Sequence, residues 1–285
     1  MKAATIVPQK YLHLIENQTY HMALAHLIGK AGFEDYSAFY ELKGKQDDKF
    51  LIMDNGLIEG DPRPIEEIVE KAKLLYASEL VLPDVFRDSP ATLSAVERAF
   101  DYIYDNGIYD LKVMAVAQGN TYEEWLANAR ELLKLPINTL GIPKVLTKLP
   151  YYKMTPGGFT TYEKDGYWLQ RLEALQALRV DLDATDVEIH LLGCWDTPLE
   201  AKRIANAVAS GDCHEVRGID SAIPWVYANA GMKMSEGERP VGPVDFGATN
   251  LDADDLTLKY NIHMWQRECA DIDLEAPDKD IPYFW

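Results

Sequence analysis

The chain has 285 residues, 47% of them hydrophobic, with 46 acidic against 28 basic side chains and a formal net charge of −18. That length and apolar content suit one large α/β domain, while the charge excludes indiscriminate adhesion to nucleic acid or anionic membranes and demands a local basic patch of any nucleic-acid binder. Cys194, Cys213 and Cys269 lack CxxC or metal spacing, the N-terminus MKAATIVPQKYLHL lacks an apolar signal core, and no run reaches spanning length; a reduced, cytoplasmic protein is predicted, with no membrane contact, metal or cofactor.

Residues 1–19 read as an N-terminal arm, and a first strand is predicted over YHMALAHLI, 20–28, followed by an irregular or helical connection. Strand KFLIMD, 49–54, leads through DPRP to the helix PIEEIVEKAKLLY, which opens on Pro and acids as a helix start should. ELVLP, 79–83, precedes the periodic ATLSAVERAFDYIYD; LKVMAVA, 111–117, precedes the amphipathic TYEEWLANARELLKL; NTLGIP, 138–143, precedes an insertion at about 144–166, either a lid or a disordered excursion. Helix WLQRLEALQALRV, strand VEIHLLG (187–193), helix TPLEAKRIANAVASG and strand EVRGID (215–220) follow, then a short helix near 223–230. VDFG, 244–247, is the candidate eighth strand, and a closing helix with an acidic tail occupies about 250–285. Continuous apolar runs alternating with helices predict strands buried on both faces, and so a single TIM-type (β/α)8 barrel domain over 1–285.

In such folds chemistry gathers where the strands end, which directs attention to Asp54, Asp84, Gln118, Gly141, Gly193 and Asp220. Asp54 in MDNG belongs either to a turn or to a site, and Asp84 in LPDVF either caps the next segment or binds. Gln118 offers both a donor and an acceptor to a planar ligand beside Gly119, which leaves room for close approach. Asp220 in RGIDSAIP is followed by small residues that leave its carboxylate accessible. Paired with Asp54 it makes a nucleophile and an acid/base, the pair that substitution at a sugar anomeric carbon uses. His190 reads as a packed strand residue, and His21 and His26, five apart on the proposed strand, point to opposite faces and do not share a metal.

The ordered motifs MDNG, LPDVF, AVAQGNTYEEW, LGIP, HLLG and GIDSAIP, spanning roughly residues 50–230, resemble the tRNA-guanine transglycosylase superfamily, and most of all its short phage and bacterial relatives that put 7-deazaguanines into DNA. The resemblance implies a barrel that exchanges guanine for a preQ0-like base through a covalent nucleotide–enzyme intermediate. It implies Asp220 as nucleophile, Asp54 as general acid/base, Asp84, Gln118 and Gly119 as readers of the base, and Gly141 with Ile142 as main-chain contacts. HLLG would be scaffold. It further implies DNA and a 7-deazaguanine as partners and a homodimer or partner subunit. The chain departs from the tRNA enzymes in having no zinc pattern and in carrying IPWVYANAG where an arginine follows the nucleophile motif. Lys144, Lys148, Lys153 and Lys164, with Tyr151, Tyr152 and Tyr162, are the candidate basic and stacking surface for DNA. A tRNA acceptor, a nucleoside or nucleotide N-glycosidase and a non-catalytic binding subunit are the alternatives.

Overall fold

The computed structural model describes residues 1–144, 146, 153–155, 158–160, 167–194, 198–234, 245–248 and 251–270. Eight strands form one all-parallel sheet: β1 (Lys2–Thr5), β2 (Tyr20–Ala23), β3 (Phe50–Met53), β4 (Glu79–Val81), β5 (Lys112–Val116), β6 (Thr139–Pro143), β9 (Glu188–Leu192) and β10 (Gly218–Ser221). The strand order is β1-β10-β9-β6-β5-β4-β3-β2, and β1 and β2 at its two ends lie against each other. The sheet is thus a nearly closed TIM-type (β/α)8 barrel. A small antiparallel hairpin, β7 (Lys153–Thr155) with β8 (Gly158–Thr160), falls within the predicted insertion.

Seven of the barrel strands coincide with the apolar runs. The eighth does not. Asp245–Ala248 form a turn rather than a strand, and the closing strand is β1, inside the segment expected to be an arm. Lys2 to Thr5 pair in register with Gly218 to Ser221. The predicted first strand is also shorter than YHMALAHLI: after Ala23 the chain turns into a 3-10 segment, Ala25–Leu27.

The seam between β1 and β2 is stitched by a side chain. Gln18, buried just before β2, accepts from the Thr5 N–H at 3.3 Å and donates to the Thr5 hydroxyl at 3.0 Å. Gln18→Ala leaves a buried N–H without an acceptor, which costs about 1–3 kcal/mol; the expected result is a lower urea midpoint at unchanged m, and an unchanged midpoint would show that the seam does not need this stitch.

Between strands run α1 (Glu34–Gly44), α2 (Ile65–Leu74), α3 (Ser89–Asp105), α4 (Tyr122–Leu132), α5 (Tyr167–Ala177), α6 (Arg179–Asp183), α7 (Pro198–Ala209), α8 (Ile223–Asn229) and α9 (Asp255–Ala270). Their starts are written locally. Pro64 and the acids Glu66 and Glu67 open α2; Asp88 caps α3 by accepting from the Ala91 N–H at 2.9 Å, and Thr121 caps α4 by accepting from the Glu124 N–H. These N-cap positions matter for function because each follows a strand end by 5 to 11 residues. They hold the intervening loop, and its polar side chains, at one rim of the barrel. No helix among the described residues is long and apolar enough to cross a membrane.

Candidate active site

All eight strands point the same way, so the residues at and just after their C-terminal ends share one mouth. Asp54, Asp84, Gln118 and Asp220 converge there, as the sequence predicts. Each is held differently.

Asp54 follows β3, and its carboxylate accepts from the Gly56 N–H at 2.9 Å, inside the turn that MDNG forms. Glu59, five positions along the same loop, is its carboxyl neighbour. Burial, chiefly, and the charge of Asp220 push the Asp54 carboxyl up to about 6. Glu59 faces solvent across the funnel but is crowded by protein; that crowding first, then the charges of Asp54 and Asp220, push it up to about 8, with Lys144 opposing. The Asp54 charge raises Glu59, so the pair holds on to a proton well above the usual carboxylate range. A proton acceptor poised near neutrality is what general base catalysis requires. The sequence reading missed Glu59, because nothing in LIEG marks a residue that folds back on Asp54.

Asp84 is a buried carboxylate flanked by amides. Its Oδ1 accepts from Asn55 Nδ2 at 2.7 Å and its Oδ2 from Gln118 Nε2 at 2.6 Å. Both amides are oriented by the backbone. Asn55 Nδ2 also donates to the Leu82 carbonyl while its Oδ1 accepts from the Leu57 N–H. Gln118 Oε1 accepts from the Arg87 N–H at 3.1 Å. Arg87 reaches that position only with φ at 58°, left-handed backbone that costs a residue with a Cβ about 1–3 kcal/mol. Burial pushes Asp84 up to about 7, against the two amide donors that favour its charged form. Asn55, assigned in the sequence to a turn, is thus also a partner of Asp84.

Asp220 lies within β10, third of its four residues. Its Oδ1 accepts from the Gly193 N–H at 3.2 Å and lies 3.1 Å from His190 Nε2. Gly193 can aim its N–H inward because it adopts φ of 70°, a conformation that disfavours any residue with a Cβ. His190, expected to be only a packed strand residue, is fully buried and touches the candidate nucleophile. Oδ2 of Asp220 has no such partner among the described residues, which leaves one carboxylate oxygen for chemistry.

The remaining predicted residues occupy other places. Gly119 lets the chain pass against α4, where a Cβ would lie 2.4 Å from the Trp125 nitrogen. Gly141 and Ile142 sit within β6, Gly141 paired with Val116 on one side and His190 on the other, so their main chains belong to the barrel wall. A Cβ on Gly141 would meet Leu192, Val116 and Met114. Lys148, Lys164, Tyr151, Tyr152 and Tyr162 lie outside the described residues. Cys194, Cys213 and Cys269 are buried thiols outside any disulfide.

The three raised carboxyls predict a pH dependence. A carboxyl raised in the fold keeps a proton that the unfolded chain releases from about pH 4 upward. Its contribution to stability is therefore fully present below the unfolded value and is lost as pH rises through about 6 for Asp54, 7 for Asp84 and 8 for Glu59. Glu59→Gln should flatten the fall in melting temperature between about pH 6 and pH 8 relative to the parent chain; identical pH profiles would show that Glu59 does not titrate against Asp54.

No protein-family model matches the chain, and no curated protein matches it. Among solved structures, it is similar to the YdjI aldolase from Escherichia coli K12, with 14% identity over 94% of this chain and 88% of the aldolase and a TM-score of 0.51. It is also similar to a GH5-4 broad specificity endoglucanase from Clostridium longisporum, with 10% identity over 93% of this chain and 86% of the endoglucanase and a TM-score of 0.48. At that identity the likeness to the aldolase is one of fold, the (β/α)8 barrel.

Proposed function

We propose that the protein is a base-exchange glycosyltransferase that replaces guanine in DNA by a 7-deazaguanine through a covalent Asp220–nucleotide intermediate. The observation that carries this reading is the shared mouth: a carboxylate held, among the described residues, through one oxygen, a second carboxylate beside Glu59, and a carboxylate–amide plate built from Asp84 and Gln118. Guanine presents N–H donors on one edge and a carbonyl acceptor beside them. Asp84 suits the donors, and the amide of Gln118 suits the carbonyl. The target nucleotide is flipped from the helix at an unstacking cost of a few kcal/mol.

In the first step the free Oδ2 of Asp220 bonds to C1′ as the bond from C1′ to N9 of guanine breaks, its electron pair leaving with the base. A proton reaches the departing guanine from the Asp54–Glu59 pair. In the second step the incoming base gives its N9 proton to Asp54, N9 attacks C1′ from the opposite face, and the ester to Asp220 breaks. Two inversions give net retention at C1′. The exchange rate is expected to rise with pH through about 6 as Asp54 ionises.

The experiment is incorporation of labelled guanine into duplex DNA, single-stranded DNA and tRNA. Label entering DNA alone supports the proposal; label entering tRNA moves the acceptor to RNA. One feature favours a second reading, an N-glycosidase on small nucleosides or nucleotides: the mouth holds Glu59 besides three aspartates, in a chain of net charge −18. Release of free base from nucleosides without exchange into any polymer would select it.

A further inference from the structure

Asp220 is the upper end of a line of polar side chains that runs through the barrel interior to the opposite pole. Below it, His190 Nε2 lies 3.1 Å from Oδ1, and the other ring nitrogen, Nδ1, lies 2.9 Å from the Tyr20 hydroxyl. That hydroxyl accepts from Arg217 Nε at 3.1 Å. Arg217 is anchored in turn by both carboxylate oxygens of Glu79, by Glu188 at 2.9 Å and by the Thr139 hydroxyl at 3.0 Å. Tyr20 and His190 are buried, and the Tyr20 ring lies against Gly218, where a Cβ would stand 2.6 Å from a ring carbon.

The direction of every bond in this line follows from its two ends. A guanidinium only donates, so the Tyr20 oxygen is an acceptor toward Arg217. Tyr20 has one hydroxyl proton, and His190 Nδ1 is the only acceptor the described residues offer it. Nδ1 is then unprotonated, and the ring proton sits on Nε2, facing a carboxylate that only accepts. One arrangement satisfies all four groups at once: Arg217 N–H to Tyr20, Tyr20 O–H to His190, His190 N–H to Asp220.

We infer that Tyr20, oriented by Arg217 at the far pole of the barrel, and the Asp220 carboxylate together fix the tautomer of His190, and that Tyr20 and His190 are positioning residues for Asp220. The neutral imidazole ties down Oδ1 without placing a full positive charge on it, so Oδ2 keeps its orientation and its nucleophilic character. In Tyr20→Phe the ring still packs, but Nδ1 loses its donor, the imidazole is held by Asp220 alone, and its orientation is less constrained. The consequence for rate rests on the proposal that Asp220 is the nucleophile; the placement of the proton does not.

The test is long-range ¹H–¹⁵N correlation of the imidazoles near neutral pH, with His190 assigned by the signal lost in His190→Gln. The expected result is the Nε2–H tautomer in the parent chain, a displaced Nδ1 resonance in Tyr20→Phe as that nitrogen loses its hydrogen bond, and base exchange slowed about tenfold or more in kcat at unchanged KM. An Nδ1–H tautomer or an imidazolium in the parent chain overturns the inference whatever the activity, and it does so even if Tyr20→Phe does not fold. An Nδ1 resonance that does not move in Tyr20→Phe overturns the bond from Tyr20, and a displaced resonance with unchanged kcat overturns the positioning role. A parent chain that shows the Nε2–H form but exchanges no base in any polymer sinks the transglycosylase proposal and leaves the proton placement standing.

Discussion

Asp220→Asn is expected to abolish the covalent nucleotide adduct and to lower base exchange by about 10⁴-fold or more, the scale seen when a nucleophile is removed from a group that acts as a unit. The reason is specific to the geometry. Oδ1 is engaged by His190 and Gly193, so among the contacts of the described residues Oδ2 is the oxygen left to bond C1′. An amide in that place is a poor nucleophile, and its NH₂, if turned inward, meets two N–H donors. The fold should survive, because the substitution is isosteric and β10 stays paired with β1 and β9. Denaturing gels or intact-mass spectra of protein trapped with guanine-containing DNA decide it. An adduct that still forms on Asp220→Asn removes Asp220 from the role. Adduct loss with a normal melting curve supports it.

Arg217→Met is expected to destabilise the barrel by about 3–5 kcal/mol, the cost of stranding a buried charge. Glu79 is fully buried, and its charge is neutralised by Arg217, with the Thr139 hydroxyl donating to it as well. Glu188, half-exposed and paired with Lys112, tolerates the loss. At about 2–4 °C per kcal/mol for a chain of this order of size, the melting temperature should drop by about 10 °C. The companion Glu79→Leu should recover part of the loss when combined with Arg217→Met, since an apolar pair needs no charge compensation. A double variant no more stable than Arg217→Met would show that the cost lies in packing and not in the stranded carboxylate. Asp220 and Arg217 differ in where the barrel places them. Asp220 sits where the strands end and chemistry is expected; Arg217 sits at the opposite pole, where conserving the charge balance maintains the barrel.

Much of the mouth was legible in the sequence for one reason. Strands of a parallel barrel are buried on both faces, so FLIM, ELV, KVMAV and EIHLL announce themselves as apolar runs, and the polar residue that breaks each run falls near the rim. Asp54, Asp84 and Gln118 are such residues. β1 escaped because KAAT is four residues long and half-exposed at its start. Its strand character comes from pairing with β10, almost the whole chain away. VDFG offered a better apolar pattern, yet its described residues turn. Gly141 shows the converse: a glycine near a strand end suggested an exposed main chain, but β6 continues through Pro143 and absorbs it.

The sequence by itself determined the alternation of strands and helices, the barrel, and the three aspartates and one glutamine that its strand ends deliver to a common mouth. These are consequences of local patterning: burial on both faces, helix caps, turn residues. The tertiary structure alone decided how those groups are charged and aimed. Glu59 reaches Asp54 only through the path of its loop, and Asn55 and Gln118 clasp Asp84 across 29 and 34 positions of chain. The line from Arg217 through Tyr20 and His190 to Asp220 joins residues 197, 170 and 30 positions apart. No window of sequence contains such contacts, because closing the barrel is what places the inner faces of β2, β9 and β10 within hydrogen-bonding reach.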